Sequence, residues 1–357
     1  MKILFDFGHP TDVNVFRNVI NKLEERGHST LVTARDKENT VQLLQTYGLR
    51  YEVSPHYNGI LNKAIGLLRI DYFVYKVAKA FHPDVYVSAG TPYAAHVSKI
   101  FGKTHIAFPN TEHAKIALYL SKPFTDIFCT PYFYKGDFGK KHLRFNGFNE
   151  LNYLHHNYFK PDSTIISHLG LAGERYVLLR FSALNAHHDL TAKGFDFKTE
   201  KEIMDFIKQI EGFARVVITS EVSLGSKFEK YKIKIPSDRW HDFLNYATMY
   251  IGEGAKTASE AAILGVPAIY VSNTRRGYLD ELETNYDLAY TIPDREKALE
   301  KAKSLLQGKN LREKWIIKKD IMLKEKIDTV AFMVDIIENS LSPLKDGRPR
   351  NENNRLK

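Results

Sequence analysis

The stretch YIGEGAKTASEAAILGVPAIYV, residues 250–271, decides the fold because it joins two short apolar runs through a glycine-rich turn and a helical pattern. We predict a strand over residues 249–252, a helix over residues 257–264 and a second strand over residues 268–272. Gly265 and Pro267 end the helix and lead into the second strand. A strand–helix–strand unit of this kind is typical of a parallel sheet.

The turn between the first strand and the helix has the composition of an anion-binding site. Gly252 and Gly254 permit a close backbone approach and positive φ angles, which leaves the first amides of the helix able to meet an anion. Lys256 adds a positive charge at the same place, and Glu260 is spaced so that its carboxylate can accept hydrogen bonds from a ribose diol. On spacing alone, an ordinary strand–helix turn without a ligand remains an equal alternative.

The same alternation of strands and helices extends over most of the chain. In the first half, strands are predicted at residues 2–7, 29–33, 51–54, 84–88, 105–108 and 126–130. In the second half, two more precede the opening stretch, at residues 176–180 and 215–219. The pattern predicts two consecutive doubly wound, Rossmann-like α/β domains, with ligands beyond the carboxyl ends of the strands.

Irregular segments set the predicted domain boundaries. Residues 132–162 contain three glycines and Pro161, and we interpret them as an interdomain segment. The prediction is an N-terminal domain over 1–160 and a second domain over 161–310. A C-terminal helix over 311–340 is expected to pack back on the first domain, and a disordered tail follows over 341–357.

Length, cysteine content and charge exclude several classes of protein. The chain has 357 residues, which suits two domains, and its one cysteine, Cys129, excludes a disulfide framework and a cysteine-based metal site. We find no apolar run of the roughly 20 residues that span a membrane and no signal peptide, so we expect a cytoplasmic protein. Residues 1–160 hold 20 Lys and Arg against 13 Asp and Glu. This excess suits an anionic acceptor or membrane surface, since no nucleic-acid recognition motif accompanies it.

Several motifs carry a resemblance to known enzymes. The pattern from Gly254 to Val271 resembles the donor-binding segment of GT-B glycosyltransferases, in particular the N-acetylglucosaminyltransferase that forms lipid II. The motif WHDFLNYA, residues 240–247, resembles the short helix before that segment in the same enzymes and in UDP-N-acetylglucosamine 2-epimerases. Over roughly residues 1–340 the chain is similar to an uncharacterised prokaryotic family of about this length. The signatures of that family are Gly8-His9-Pro10, Thr33-Ala34-Arg35-Asp36 and Thr111-Glu112-His113-Ala114.

The resemblance implies a GT-B-like fold in which two Rossmann-like domains face a cleft. It also implies that backbone amides around residues 254–257 hold a donor diphosphate and that Glu260 binds the ribose. The donor-binding residues implied in this way are Arg180, Ser182, Gly252, Gly254, Ala255, Lys256, Thr257 and Glu260. Residues 273–276 read NTRR where the transferase carries glutamines that read the donor sugar. The Arg-Pro-Glu turn and the obvious catalytic carboxylates of the epimerases are absent.

Candidate catalytic residues follow strands of the first domain. His9 ends the first strand, and a neutral imidazole there could take a proton from an acceptor hydroxyl; a turn histidine bonded to its own loop is the alternative. Asp6 and Asp12 could orient His9, and Asp12 could instead cap the helix that follows. Glu112 and His113 follow the fifth strand and are further candidates for the base, with a helix-end acid beside a histidine as the alternative.

The resemblance favours a metal-independent glycosyltransferase of cell-envelope polysaccharide synthesis. It would move a sugar from a nucleoside-diphosphate sugar, with UDP favoured, to a glycan or lipid-linked acceptor held by Thr91 and Asn110. No cofactor is expected, because the nucleotide sugar is a substrate. No metal site is assigned, because His187-His188-Asp189 has no third ligand at a suitable spacing.

Two other functions and a membrane contact stay open at this stage. A UDP-sugar 2-epimerase and a non-catalytic protein that binds sugar nucleotides or glycans are the alternatives to a transferase. The helical segment at residues 60–81 mixes apolar and basic residues. It could make a peripheral contact with the inner face of the membrane, or pack on the core with snorkelling lysines.

Overall fold

A computed structural model of the chain describes residues 1–54, 60–110, 114–182, 194–220 and 224–341, without the side chains of residues 60–65. The chain divides into two units. The first contains Met1–Tyr153 together with Ile327–Lys357, and the second contains Leu154–Lys326.

The first unit is built on a seven-stranded sheet in which all pairings are parallel. Its strands are β1 (Lys2–Phe7), β2 (Ser29–Arg35), β3 (Tyr51–Ser54), β4 (Val85–Ser88), β5 (Thr104–Ala107), β6 (Ile127–Pro131) and β7 (His142–Phe145). Their order is β3-β2-β1-β4-β5-β6-β7. Because the chain moves outward from β1 to β3 and then returns to β4, the switch point of the topology lies between β1 and β4.

The second unit contains a five-stranded parallel sheet of the same kind. Its strands are β8 (Tyr176–Phe181), β9 (Arg215–Ser220), β10 (Met249–Gly252), β11 (Ala268–Val271) and β12 (Ala289–Ile292). The order β12-β11-β10-β8-β9 places the switch point between β8 and β10. Both units therefore have the doubly wound, Rossmann-like fold that the sequence predicts.

Helices alternate with the strands in both units. In the first unit they are α1 (Pro10–Glu25), α2 (Thr40–Thr46), α3 (Ile60–Phe81), α4 (Pro92–Ile100), α5 (Lys115–Ser121) and α6 (Leu151–Leu154), which ends at the boundary. In the second unit they are α7 (Thr164–His168), α8 (Glu200–Glu211), α9 (Trp240–Tyr246), α10 (Ala255–Ile263), α11 (Gly277–Thr284), α12 (Arg295–Gln307) and α13 (Leu311–Glu325). The last helix, α14 (Thr329–Asn339), belongs to the first unit. No helix in the described part of the chain is both long and apolar enough to span a bilayer.

The structure differs from the sequence prediction at several elements. β7 and α6 lie within residues 132–162, for which the sequence predicts an irregular interdomain segment, and β12 has no counterpart among the predicted strands. The single helix expected over residues 311–340 is two helices, since Asp328 caps α14 by accepting the N–H of Ala331 at 3.0 Å. α14 packs on α1, where Glu338 bonds Arg26 at 2.7 Å and His28 at 2.9 Å.

Candidate functional site

The glycine-rich turn of the second unit lies at the switch point between β8 and β10. Gly252 is paired with Arg180 of β8, and a Cβ added to Gly252 would lie 2.7 Å from the Arg180 carbonyl oxygen. Glycine is therefore required here by the close approach of two backbones. Neither Gly252 nor Gly254 adopts the positive φ angle that glycine permits, and the φ of Gly254 is −86°.

A buried tyrosine holds this turn closed. The Tyr250 hydroxyl accepts the Gly254 N–H at 3.1 Å and donates to the Gly254 carbonyl at 3.0 Å, and burial raises the pKa of Tyr250. Gly254 is the N-cap residue of α10 and supplies no capping side chain. The first amides of α10, at Ala255, Lys256 and Thr257, thus lie at a helix N-terminus whose partial positive charge attracts anions.

Glu253 joins the turn to the segments beside it. Its carboxylate accepts the N–H of Ser182 and the N–H of Phe195, each at 2.9 Å, and its own N–H donates to the Arg180 carbonyl at 3.1 Å. The structure in this way places Arg180 and Ser182, two of the candidate donor-binding residues, next to the turn. Sequence reasoning assigned no role to Glu253, although a carboxylate between two glycines was a visible signal.

Glu260 is held by two residues of α9. It is buried, its Oε1 lies 3.2 Å from His241 Nε2, and its Oε2 accepts the Trp240 indole N–H at 3.4 Å. Trp240 and His241 belong to the WHDFLNYA motif, which the sequence analysis quoted only for its resemblance. A ligand hydroxyl that binds Glu260 must therefore do so beside the Trp240 and His241 rings.

A cavity of about 300 Å³ lies beside Trp240 at the carboxyl end of β9. Ile218, Ile233 and Ile235 contribute apolar walls, and the buried Thr219 Oγ1 has no hydrogen-bond partner within the described residues. An unpaired buried hydroxyl is costly, so a ligand with a polar edge would stabilise this cavity. β9 pairs Thr219 with Arg180, which places the cavity one strand away from the glycine-rich turn.

In the first unit, His9 is the N-cap residue of α1 and follows β1 directly. Its Nδ1 accepts the Thr11 backbone N–H at 3.2 Å. Because a backbone N–H can only donate, Nδ1 is the acceptor and a neutral His9 ring carries its proton on Nε2. This Nε2 lies 3.9 Å from the Glu38 carboxylate. In this tautomer His9 offers a hydrogen-bond donor at Nε2 rather than a base.

Asp12 completes the start of α1. It is the third residue of the helix and not its N-cap, and its carboxylate accepts the N–H of Gly8 at 2.8 Å and of His9 at 3.1 Å. This reciprocal pair with His9 is a capping box. Burial raises the pKa of Asp12 from 3.8 to about 6, although the two N–H groups act in the opposite direction.

A buried ion pair between Asp6 and Arg35 lies near His9, at the carboxyl ends of β1 and β2. The guanidinium of Arg35 binds both carboxylate oxygens of Asp6, at 2.5 and 2.9 Å, and also the Phe7 carbonyl at 2.7 Å. The Thr33 hydroxyl donates to Asp6 at 2.8 Å, and the Thr91 hydroxyl donates to its other oxygen. Asp6 is therefore fully engaged by these groups. The sequence analysis considers Asp6 as a residue that could orient His9. For Arg35, the signal in the sequence was its place in the motif Thr33-Ala34-Arg35-Asp36.

Thr91 is held in place by the switch-point turn. Gly90 has a φ of +106°, and a Cβ there would lie 2.9 Å from Leu118, so the turn requires glycine. The Gly90 N–H donates to Ser88 Oγ at 3.0 Å, and that hydroxyl also bonds His105. Burial lowers the pKa of His105 to about 3, so this histidine is neutral.

The other predicted residues of the first unit have different outcomes. Asn110 follows β5, and its Oδ1 is buried without a hydrogen-bond partner within the described residues. Glu112 and His113 lie outside the described residues, as do His187, His188 and Asp189. Among the residues that are described, no group of three or more His, Cys, Asp or Glu side chains is placed to hold a metal ion.

Solved structures share this architecture at low sequence identity. A UDP-GlcNAc 2-epimerase from Neisseria meningitidis bound to UDP-GlcNAc is 12% identical with a TM-score of 0.68, over 94% of this chain and 99% of that one. The UDP-GlcNAc 2-epimerase from Methanocaldococcus jannaschii is 14% identical with a TM-score of 0.64, over 90% of this chain and 100% of that one. The spinosyn rhamnosyltransferase SpnG is 11% identical with a TM-score of 0.58, over 94% and 99% of the two chains. Curated protein sequences give no significant match.

The fold is thus that of the GT-B class, two Rossmann-like α/β domains with parallel sheets. Within that class, the chain belongs to the DUF354 family, described as a protein of unknown function, whose model matches residues 1–341.

The Asp6–Arg35 pair generates a stability prediction. We expect Arg35→Met to destabilise the first unit by about 3–5 kcal/mol, because it leaves Asp6 charged and buried without its partner. Arg215→Met breaks the exposed pair with Glu174 and is the matched control, with an expected cost below about 1 kcal/mol. Urea unfolding gives both values, and equal costs for the two variants would contradict a special role for Asp6 and Arg35.

Asp12 generates a pH-dependence prediction. Its pKa is higher in the folded protein than in the unfolded chain, so ionisation opposes folding and the contribution of Asp12 to stability falls as pH rises through 4 to 6. Asp12→Asn removes this titration. The unfolding free energy of the wild type minus that of the variant should fall by about 2 kcal/mol between about pH 4.5 and 7.5. A difference that is flat or rises over this interval would contradict the raised pKa.

Proposed function

We propose that the second unit binds a nucleoside-diphosphate sugar at the switch point between β8 and β10. The observation that carries this proposal is the packing of Gly252 directly on the Arg180 carbonyl, at the entry to an α10 that has no capping side chain. The diphosphate would accept hydrogen bonds from the amides of residues 255–257, with the positive charge of Lys256 beside it.

The cavity beside Trp240 supports a place for the base of the nucleotide. A planar ring would contact Trp240 and the isoleucine walls, and its polar edge would bond Thr219 Oγ1. Glu260 would bind the ribose next to Trp240. We favour UDP, since the two epimerase structures of the same fold are described with UDP-GlcNAc as their ligand or substrate.

The reaction we propose is glycosyl transfer without a metal ion or cofactor. An acceptor hydroxyl of a glycan or lipid-linked molecule attacks the anomeric carbon, and the bond from that carbon to the diphosphate oxygen breaks. The leaving diphosphate carries the electron pair, and the amides of α10 with Lys256 stabilise its charge. Asn110 Oδ1 would accept a hydrogen bond from the acceptor, whereas Thr91 acts through Asp6.

The hydroxyl proton must pass to a base. The tautomer of His9 favours a donor role at Nε2, so we assign the base to Glu112, which follows β5, with His113 as its neighbour. His9 would then donate a hydrogen bond to a substrate oxygen. A carboxylate base and a neutral imidazole donor make a consistent pair near neutral pH.

A UDP-sugar 2-epimerase is the second candidate, because structures described as epimerases share the fold over nearly the whole chain. An epimerase inverts C2 of the sugar without any acceptor, and proton NMR of the protein with UDP-GlcNAc alone detects this product. Inversion without an acceptor would replace the transferase proposal, and binding of the nucleotide without turnover of any acceptor would favour a non-catalytic protein.

The donor site predicts a specific binding pattern. In a thermal-shift panel of UDP-, GDP-, TDP- and CMP-sugars, we expect a UDP-sugar to raise the melting temperature most, since it binds only the folded state. Lys256→Met should weaken that binding by roughly 10- to 100-fold, because a charge-assisted contact to phosphate is lost. Calorimetric titration measures the affinity of the variant.

The control for this loss is Lys227→Met, which changes an exposed lysine of the same unit that pairs with Glu200 and should leave affinity unchanged. Glu260→Ala should also reduce affinity, and Glu260→Gln shows how much of that loss is due to charge. Normal nucleotide binding by both Lys256→Met and Glu260→Ala would overturn the site assignment.

The assignment of the base predicts a larger loss of kcat for a change at Glu112 than for a change at His9. Glu112→Gln should lower kcat by about 10²- to 10⁴-fold. His9→Asn keeps an N-cap acceptor for α1 and should lower kcat by about tenfold, in line with a lost donor. Initial rates against pH measure both. If His9→Asn abolishes the acidic limb of the profile and Glu112→Gln does not, His9 is the base.

A further inference from the structure

A second cavity lies in the first unit, on the side of the sheet where the strands begin, whereas His9 and Thr91 lie on the side where the strands end. Its volume is about 670 Å³, and it lies at the amino ends of β6 and β7. Leu120, Phe124 and Phe138 are among its apolar lining residues, and Lys122, Lys140 and Lys141 border it. The proposed glycosyl transfer uses none of these residues.

Large apolar side chains stand exposed on α5, whose Tyr119 lines this cavity, and on α3. On α5, Tyr119 is 80% exposed and Ile116 is 79% exposed. On α3, Leu68 and Tyr72 are 69% and 64% exposed, one helical turn apart. α3 is connected to the cavity through His96 of α4, which lines the cavity and bonds Asp71 of α3 at 3.0 Å. Exposed apolar side chains grouped in this way mark an interaction surface.

The charge of this surface is positive. Residues 114–145 contain six Lys and Arg and two Asp. Asp126 forms an ion pair with Lys99 at 2.5 Å, and Asp137 is an exposed carboxylate 3.2 Å from His142. Lys122, Lys140 and Lys141 are exposed, and Lys141 also donates to the Thr125 carbonyl at 2.7 Å. The six cations of the segment exceed its two carboxylates and leave a net positive charge. Apolar side chains that project beside lysines complement a surface with acidic headgroups over hydrocarbon.

We propose that this face of the first unit docks on a bilayer that contains acidic phospholipid. The phosphate of one lipid lies at the mouth of the cavity between Lys122 and Lys140, and Ile116 and Tyr119 enter the headgroup region beside it. The docking face is thus centred on α5 and the residues before β7, and α3 contributes Leu68 and Tyr72 at its margin. The proposal does not depend on the donor site of the second unit.

The test is co-sedimentation of the full chain with vesicles of phosphatidylcholine alone or with about a third of phosphatidylglycerol. We expect binding to the acidic vesicles, little binding to phosphatidylcholine, and a loss of binding at high salt. Lys122→Glu with Lys140→Glu should weaken binding by at least about tenfold. Ile116→Ser with Tyr119→Ser should weaken it as well, because both apolar contacts are lost.

Matched controls come from α13 in the second unit. Ile317 and Ile321 are 60% and 50% exposed, so Ile317→Ser with Ile321→Ser changes an apolar pair of similar exposure, and Lys314→Glu changes a charge on the same helix. These variants should bind like the wild type. A Tyr119→Trp variant adds a readout at α5. The wild type has Trp240 and Trp315, both in the second unit, so the emission that the variant gains over the wild type should shift to the blue with acidic vesicles.

Three outcomes would overturn the proposal. They are no binding to acidic vesicles, equal binding to both vesicle compositions, and an equal loss of binding in the α5 and α13 variants. An unshifted Tyr119→Trp emission during binding would show that another face of the protein contacts the lipid and would overturn it too.

Discussion

The buried carboxylate of Asp6 sets the arrangement of the carboxyl edge of the first sheet. A charge without access to water is costly unless it is paired and hydrogen-bonded. Thr33 and Arg35 of β2 and Thr91 after β4 meet that requirement from two separate segments. Because Arg35 also binds the Phe7 carbonyl, the same pair fixes the chain just before His9. The switch point of the first unit is therefore organised around one ion pair.

The switch point of the second unit is ordered by a glycine, a tyrosine hydroxyl and a carboxylate. Gly252 removes the side chain that would separate β10 from Arg180, the Tyr250 hydroxyl closes the turn, and Glu253 bonds two backbone N–H groups. The charge-assisted bonds stabilise the half-buried Glu253 carboxylate. One switch point is thus filled by protein side chains, whereas at the other α10 begins at a glycine that supplies no capping side chain.

How far the sequence predicts the structure depends on where each element lies. Central parallel strands are buried on both faces and therefore read as continuous apolar runs, which is why strands such as β1 and β10 could be located to the residue. β7 and β12 are both edge strands, and their sequences HLRF and AYTI are only partly buried, so their pattern is weak. The Asp6–Arg35 contact joins residues 29 positions apart, and no local periodicity encodes it. For the same reason, the contact of Trp240 and His241 with Glu260 was visible as a motif but not as an interaction.

These contacts show where the excess of Lys and Arg in the first half of the chain is located. Part of it is internal, since Arg35 neutralises Asp6 and contributes nothing to the outer surface. The remainder includes the lysines at the amino edge of the sheet, where Lys122 and Lys140 border the larger cavity. In a parallel sheet the amino ends and the carboxyl ends of the strands lie on opposite sides of the unit. An anionic surface bound at the amino ends therefore leaves His9 and Asn110 at the carboxyl ends accessible. A parallel α/β sheet can therefore place a docking face and a candidate reaction site on opposite sides of one domain. An acceptor anchored in a bilayer would then have to extend past the sheet to the carboxyl ends of the strands.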